Sequence, residues 1–268
     1  MNYWTERSIR IGNSDGYLDN LFKEIYKIEN KPRKIENEKI LIMKEYFYKK
    51  DKKRFLTELL SNEIFPFEDP CIGYLRKSVK IHTNWYEKNP ILINEILDKL
   101  FAFQYDQLKK SLLRPKKLNQ QIGPSFKNWI EKVSFFYPKT KIKNYRSNLN
   151  NCILTGSDDE LKLFAKNHLG YTHNKGLDFI AKSNDLFIIG EAKLITDSGG
   201  NQNKSLEDVD RLLNTKLKNT VTIAILDGVV YLKDKGKLFN YLNNSKKDKI
   251  ILSAFLINDF LKQFKNEE

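Results

Sequence analysis

The spacing of hydrophobic residues changes near residue 115, and this change divides the chain into two parts. Over residues 1–115 the apolar residues recur at intervals of three and four, which predicts amphipathic helices. A loop around Pro66 and Pro70 interrupts the pattern. The clearest helical stripes are Leu18, Leu21, Phe22 and Ile25; Phe55, Leu56, Leu59 and Leu60; and Ile93, Ile96, Leu97, Leu100 and Phe101. We therefore predict a helical amino-terminal region over residues 1–115.

Residues 116–268 combine helical and strand patterns. Pro124 suits the first turn of a helix, Ser157 and Glu160 form a capping box at the start of another, and Ser205 suits the cap of a third. Asp227-Gly228 is typical of a tight turn between two strands. The strand-like segments cover residues 176–180, 186–193, 220–226, 229–232 and 250–252, and a closing helix follows over 257–264.

The order of these elements predicts the fold class. Strand pairs that alternate with helices pack as a sheet with helices against its faces. We predict an α/β fold with a central mixed β-sheet flanked by helices over residues 116–268, preceded by the helical amino-terminal region.

Three charged residues interrupt the apolar strands of the first predicted hairpin: Asp178, Glu191 and Lys193. Buried strand positions rarely carry charge unless the charges pair or bind a metal. With a two-residue turn at Ser183-Asn184, Asp178 falls opposite Ile189 and becomes the diagonal neighbour of Glu191, roughly 7–8 Å away between α-carbons. Two carboxylates at that separation can reach one cation, and a metal-dependent phosphodiester nuclease needs this arrangement with a lysine beside it.

A structural ion pair is the competing interpretation of these three charges. The acidic-x-lysine pattern is common in this chain and recurs at Glu29, Asp51 and Glu160, where it lies on helical or polar segments and indicates solvated surface. Only Glu191-Ala192-Lys193 ends an apolar strand that follows a second acidic strand. This context favours a catalytic role.

Further candidates are less specific. Glu160 completes a helix cap or points into the site, and the sequence leaves both interpretations open. In the loop after Lys193, glycines permit close approach to a ligand and amides can read base edges. An ordinary flexible connector and a solvated helix start are the alternatives. The candidate DNA contacts are Gln120, Gln121, Lys127, Ser198, Gly199, Gly200, Asn201, Gln202, Asn203 and Lys204.

The amino-acid composition shows an excess of basic over acidic residues. The net charge is +13 and the pI is near 9.4, which indicates a polyanionic partner, although many lysine-rich proteins are merely soluble. No apolar run is long enough to cross a bilayer, and no signal-peptide core follows the amino terminus. The two cysteines form neither a disulfide framework nor a zinc pattern. We expect a reduced, cytoplasmic protein.

Two segments carry a resemblance to a known group of enzymes. Gly176-Leu177-Asp178 and Gly190-Glu191-Ala192-Lys193 resemble the PD-(D/E)XK nuclease superfamily. The longer run 190–202 is similar to the version found in type II restriction endonucleases, as are the upstream segments 121–124 and 156–161. The resemblance covers about residues 119–232. Leu177 stands where the superfamily's name places proline, a position that varies widely.

The resemblance implies a PD-(D/E)XK restriction-endonuclease-like core and a magnesium-dependent, sequence-specific cleavage of double-stranded DNA. Asp178, Glu191 and the Ala192 carbonyl would hold Mg²⁺, Lys193 would orient the attacking water, and Glu160 could assist. The products would carry a 5′-phosphate and a 3′-hydroxyl. The resemblance also implies a homodimer on a palindromic site and a cognate DNA methyltransferase as functional partner, while residues 1–115 would serve DNA wrapping, recognition or dimerisation.

Two rival hypotheses stay open at this point. One is another PD-(D/E)XK nuclease, of the repair or mobile-element kind, which would cut by structure or at random. The other is a catalytically silent DNA-binding protein of the same fold.

Overall fold

A six-stranded mixed sheet forms the centre of the fold. The computed structural model describes residues 1–197, 200–233 and 236–264, with the side chains of 200–203 outside that description. The strands lie in chain order across the sheet, and they are β1 (Lys139–Lys141), β2 (Asn151–Thr155), β3 (Phe179–Ser183), β4 (Leu186–Ile195), β5 (Thr220–Gly228) and β6 (Ile250–Leu252). β3 is antiparallel to both of its neighbours, whereas the β1–β2, β4–β5 and β5–β6 pairs are parallel. The predicted fold class is confirmed.

Helices surround this sheet and also form the segment that precedes it. In the described part of the chain they are α1 (Tyr3–Gly12), α2 (Tyr17–Asn20), α3 (Asn37–Tyr48), α4 (Lys52–Ser61), α5 (Ile72–Ile81), α6 (Pro90–Phe101), α7 (Tyr105–Leu112), α8 (Leu118–Lys132), α9 (Asp158–Leu169), α10 (Gly200–Leu213), α11 (Lys237–Asn243) and α12 (Ile257–Lys262). Among the residues described, no helix is both long and apolar enough to span a bilayer.

Different helices cover the two faces of the β3–β4 hairpin. Ile180 pairs with Ile189, and both are fully buried in a cluster with Leu161 and Phe164 of α9. The next pair along the hairpin, Ala181 and Ile188, belongs to a separate cluster that includes Phe126 and Ile130 of α8. Because successive strand residues point to opposite faces, α9 lies on one face of the hairpin and α8 on the other.

The chain folds into two compact units. One unit joins Met1–Ile28 to Leu118–Glu268, and the other is Glu29–Lys117. This division differs in one respect from the division at residue 115, because the first 28 residues belong with the sheet. The Glu29–Lys117 unit is helical and has its own core, built on α3 to α7 around Phe55, Leu56, Leu59 and Leu97.

Helix α1 is fastened to the last strand of the sheet. The Thr5 hydroxyl donates to the Ile251 carbonyl at 3.0 Å, and the Ser8 hydroxyl accepts from the Ser253 N–H at 2.8 Å. Thr5, Ser8 and Ser253 are all buried, so these hydrogen bonds satisfy polar groups that would otherwise be costly to bury. The amino-terminal segment is therefore part of the sheet's packing.

The prediction of a tight turn at Asp227-Gly228 is wrong. β5 continues through both residues, pairs with β4 and β6, and runs into a short 3₁₀ turn at Val229–Tyr231. Gly228 has φ +92°, and a Cβ there would lie 2.1 Å from the Ile195 carbonyl oxygen. The glycine serves close packing of parallel strands and a left-handed backbone, which the Asp-Gly pair alone does not distinguish from a hairpin.

Asp227 is fully buried at this point. Its carboxylate accepts from the hydroxyls of Tyr17 and Tyr26, both at 3.2 Å, from the Ser253 hydroxyl at 2.5 Å, and from the Ala254 N–H at 3.3 Å. Burial raises the pKa of Asp227 to about 7, although the hydrogen bonds favour its charged form. The cluster joins the amino-terminal segment to the end of β5.

The predicted hairpin exists, but its register differs by two residues. The turn falls at Asn184-Asp185, so Lys182 pairs with Phe187, and Asp178 is not opposite Ile189. Asn184 adopts φ +51°, a conformation that asparagine tolerates. Ser183 stays in the strand because its buried hydroxyl bonds to Tyr137 at 2.8 Å.

Two predicted helix starts are also wrong. Pro124 lies inside α8, which begins at Leu118, and Ser205 lies inside α10, which begins at Gly200. Proline removes one helical hydrogen bond, but burial of Phe126 and Ile130 on the same helix offsets that loss. β1 and β2 were not predicted, since their short segments carry little alternation.

Candidate active site

Asp178 is positioned by the backbone of β4. It comes immediately before β3, its N–H donates to the Gly190 carbonyl at 3.1 Å, and its Oδ2 accepts from the Ala192 N–H at 2.9 Å. Burial raises the pKa of Asp178 to about 6, although the Ala192 N–H and the charge of Lys193 favour the ionised form. The side chain is therefore held next to the residue that follows Glu191.

Glu191 and Lys193 follow one another on the same face of β4. Glu191 is 3% exposed, and the Lys193 ammonium lies 2.5 Å from its Oε1. Because Ile189 of the same strand packs against α9, alternation places Glu191 and Lys193 on the α9 side of the sheet. The negative charge of Glu191 raises the pKa of Asp178 in addition to burial, so the two carboxylates interact.

Lys175 and Asp208 belong to this site, although sequence reasoning did not find them. The Lys175 ammonium lies 2.6 Å from Glu191 Oε1 and also forms an ion pair with Asp208 of α10. Burial opposes the charge on Lys175, but the two carboxylates raise its pKa above the ordinary value. The only signal in the sequence is the position of Lys175 three residues before Asp178, and Asp208 lies far away along the chain.

The start of α9 approaches the same region. A Cβ at Gly176 would lie 2.6 Å from the Asp158 Cβ, so only glycine lets the loop that carries Lys175 and Asp178 pass this close to α9. Lys127 of α8 forms an ion pair with Asp158 and donates to the Gly156 carbonyl at 3.4 Å. Charged side chains from α8 and α9 thus border the site.

Glu160 forms the capping box that the sequence indicated. Its Oε2 accepts from the Ser157 N–H at 2.7 Å, and the Ser157 hydroxyl accepts from the Glu160 N–H at 3.2 Å. These contacts with Ser157 hold the pKa of Glu160 below its ordinary value. The side chain is exposed and engaged as a cap, so its second assigned role, assistance in the metal shell, stays a prediction.

The predicted DNA contacts divide into two groups. Gln120, Gln121 and Lys127 lie on α8, and Lys204 is exposed on α10. Ser198 and Gly199 lie outside the described residues, as do the side chains of Asn201, Gln202 and Asn203, while Gly200 begins α10. DNA contact by these residues stays a prediction.

The donor atoms of this site suit a hard divalent cation. Across residues 1–197, 200–233 and 236–264, no group of three or more His, Cys, Asp or Glu is arranged to hold a metal. Mg²⁺, however, is usually bound through one or two carboxylates, with water and substrate phosphate completing the shell. Glu191 Oε1 is buried and lies 2.5 Å and 2.6 Å from the ammonium groups of Lys193 and Lys175. A buried carboxylate oxygen that attracts two ammonium groups is also suited to bind a metal cation.

The Ala192 carbonyl is a third oxygen for such a cation. The N–H and C=O of one strand residue point to the same side of the strand. Since the Ala192 N–H donates to Asp178, its carbonyl also points toward the side where Asp178 lies. The Ala192 carbonyl therefore faces the side of β4 on which Asp178 lies, and its role as a ligand stays a prediction.

Comparison with known proteins places the chain among type II restriction enzymes. A family model with that description matches residues 2–264, nearly the whole chain. The chain belongs to the Tsp45I type II restriction enzyme family. A search of curated proteins found no match, and neither did a search of solved structures. The family is one of DNA nucleases that act on double-stranded DNA, which confirms the restriction-enzyme prediction made from the sequence.

Proposed function

We propose that the protein cleaves double-stranded DNA at a specific sequence, with Mg²⁺ held by Asp178, Glu191 and the Ala192 carbonyl in a PD-(D/E)XK site. The observation that carries the proposal is the pairing of Asp178 with the Ala192 N–H next to a buried Glu191 oxygen that holds two cationic groups. Family membership supplies the class of reaction. Because Leu177 replaces the proline in the superfamily's name, the proposal depends on the two carboxylates and the lysine.

The two carboxylates have different tasks before substrate arrives. Asp178 is fixed by the N–H of Ala192 through one oxygen, so its other oxygen has a defined direction. Glu191 is buried and paired with ammonium groups, which offset the cost of holding its charge away from water. When bound there, Mg²⁺ would polarise the scissile phosphate and acidify a coordinated water.

Lys193 is suited to act on the attacking water and on the phosphate. Its ammonium lies beside Glu191 and close enough to Asp178 to lower the pKa of that carboxyl against the effect of burial. Fixed positive charge at this place would orient the water and offset negative charge that develops on the phosphate in the transition state. Attack in line with the 3′-oxygen would leave a 5′-phosphate and a 3′-hydroxyl.

Binding and assembly extend the proposal. Lys127 and Lys204 offer positive charge for the DNA backbone, while Gln120 and Gln121 offer amide groups. A homodimer would match a palindromic site by two-fold symmetry, and a methyltransferase of the same specificity would protect the host DNA. The helical Glu29–Lys117 unit would serve DNA wrapping, recognition or dimer contacts.

Digestion of plasmid DNA with Mg²⁺ or with EDTA tests the proposal. We expect discrete bands with Mg²⁺ and none with EDTA. Asp178→Ala and Lys193→Ala should each lower the cleavage rate at least about a hundredfold while DNA binding survives. Asp185→Ala, which removes an exposed carboxylate from the turn of the same hairpin, is the matched control and should cut normally.

Other outcomes discriminate the rival hypotheses. A smear of products would indicate a non-specific nuclease, and cutting directed by DNA structure would indicate a repair-type enzyme. Binding without cleavage would indicate a silent DNA-binding protein. Near-normal cutting by either site variant would remove the assignment of that residue.

A further inference from the structure

Two ammonium groups compete for one oxygen of Glu191. Lys193 Nζ lies 2.5 Å and Lys175 Nζ lies 2.6 Å from the buried Glu191 Oε1. Two positive charges at one carboxylate oxygen repel one another. Such crowding indicates that one of the ammonium groups occupies a place suited to another cation.

The two lysines reach this oxygen from different directions. Lys193 is two residues beyond Glu191 on the same strand, so its direction is fixed by β4. Lys175 comes from the loop before Asp178, and its side chain is 38% exposed. Its ammonium also contacts Asp208, whose side chain is 18% exposed. Lys175 therefore has a second carboxylate partner and access to water.

The backbone around Lys175 is held in place independently of its ammonium. The Tyr171 hydroxyl donates to the Lys175 carbonyl at 3.4 Å, and Gly176 passes close to Asp158. The loop can thus keep its position while the Lys175 ammonium leaves Glu191 and stays with Asp208. Lysine is a flexible point charge that suits such an exchange.

We propose that Lys175 is a positioning residue, whose ammonium holds a cation place on Glu191 and gives it up to a divalent cation, after which Asp208 alone holds the ammonium. The inference rests on the proposed function, because it takes Glu191 as a metal ligand. Asp208 lowers the cost of the exchange, since the displaced ammonium keeps a carboxylate partner. The metal must still compete with that ammonium, so Lys175 weakens metal binding in the absence of DNA.

Mn²⁺ binding by the full-length protein without DNA tests this role, with free Mn²⁺ followed by electron paramagnetic resonance. Lys175→Met keeps the aliphatic length and removes the charge, so it should bind Mn²⁺ about three- to tenfold more tightly than the wild type. Lys175→Gln should change affinity in the same direction, and Lys175→Arg should stay near the wild type. Lys166→Met, which removes an exposed ammonium that bonds to Asn174, is the matched charge control and should leave affinity unchanged.

The direction of the change in Mn²⁺ affinity decides whether the inference holds. Unchanged or weaker Mn²⁺ binding in Lys175→Met and Lys175→Gln would overturn the inference, because a lysine that only holds Glu191 in place would weaken binding on removal. Asp178→Ala distinguishes this failure from failure of the proposed function. If Asp178→Ala abolishes Mn²⁺ binding while Lys175→Met leaves it unchanged, only the inference fails. If Asp178→Ala binds Mn²⁺ normally, the proposed metal site fails as well.

Discussion

Replacement of Asp227 by asparagine should change how stability depends on pH. The Asp227 carboxyl is fully buried, and the hydroxyls of Tyr17, Tyr26 and Ser253 donate hydrogen bonds to it. Burial raises its pKa from 3.8 to about 7 in the folded protein. Asparagine keeps the size of the side chain and one acceptor oxygen, replaces the other oxygen with an NH₂ donor, and does not titrate.

The sign follows from proton linkage. The folded pKa of Asp227 lies above the unfolded value, so between the two the native state holds more protons than the unfolded state. The carboxyl therefore contributes stability at low pH that is lost as the pH rises toward about 7. At 1.36 kcal/mol per tenfold change, the whole loss is on the order of 4 kcal/mol, and about 3 kcal/mol of it falls between about pH 5 and about pH 8.

The assay must report on the unit that contains Asp227. Trp4 and Trp129 lie in that unit, while Trp85 lies in the Glu29–Lys117 unit. In a Trp85→Phe background, tryptophan fluorescence during urea unfolding follows the sheet unit alone. Relative to Asp227→Asn, we expect the parent protein to lose about 3 kcal/mol in its free energy of unfolding between about pH 5 and about pH 8.

Asp210→Asn is the control for this experiment. Burial opposes ionisation of Asp210, but Lys249 holds its pKa below the ordinary value, so its contribution is constant over this pH range. A difference between the parent and Asp227→Asn that does not vary with pH would refute the reasoning, since it would show that Asp227 is ionised throughout.

Two further substitutions test local features. Gly228→Ala should lower the free energy of unfolding of the sheet unit by at least about 2 kcal/mol, because φ is +92° and the new Cβ would meet the Ile195 carbonyl. Gly123→Ala on α8 of the same unit, where nothing lies within 4 Å, is the control in chemical denaturation, and equal effects would contradict the explanation. Glu160→Gln should keep the cleavage rate within about tenfold of the parent, because glutamine can complete the capping box with Ser157; a loss above about a hundredfold in a plasmid assay would instead make Glu160 a site residue.

The site hairpin was predictable because its signal is local. Charge is rare in apolar strands, so Asp178, Glu191 and Lys193 stand out, and the structure brings Asp178 to the backbone of β4 beside Glu191. The capping box at Ser157 was likewise evident, since both of its partners lie within four residues. In local patterns of this kind, the residues that contact one another lie close together in the sequence.

The remaining features depend on partners that are distant in sequence. Nothing near Asp227 indicates that Tyr17 and Tyr26 will surround it, so Asp227-Gly228 was interpreted as a turn. Lys175 and Asp208 are joined only after α10 packs beside β4. The exact register of the hairpin was also undetermined, because a shift of two residues keeps every side chain on its face.

The fastening of α1 to β6 bears on the order of events during synthesis. The partner of Thr5, Ile251, is synthesised 246 residues later. At elongation speeds of roughly 5–20 residues per second, that delay is on the order of ten to fifty seconds. The Glu29–Lys117 unit is continuous and can complete its own core in the meantime. The nascent chain would thus carry an unfinished sheet unit until β6 has been synthesised.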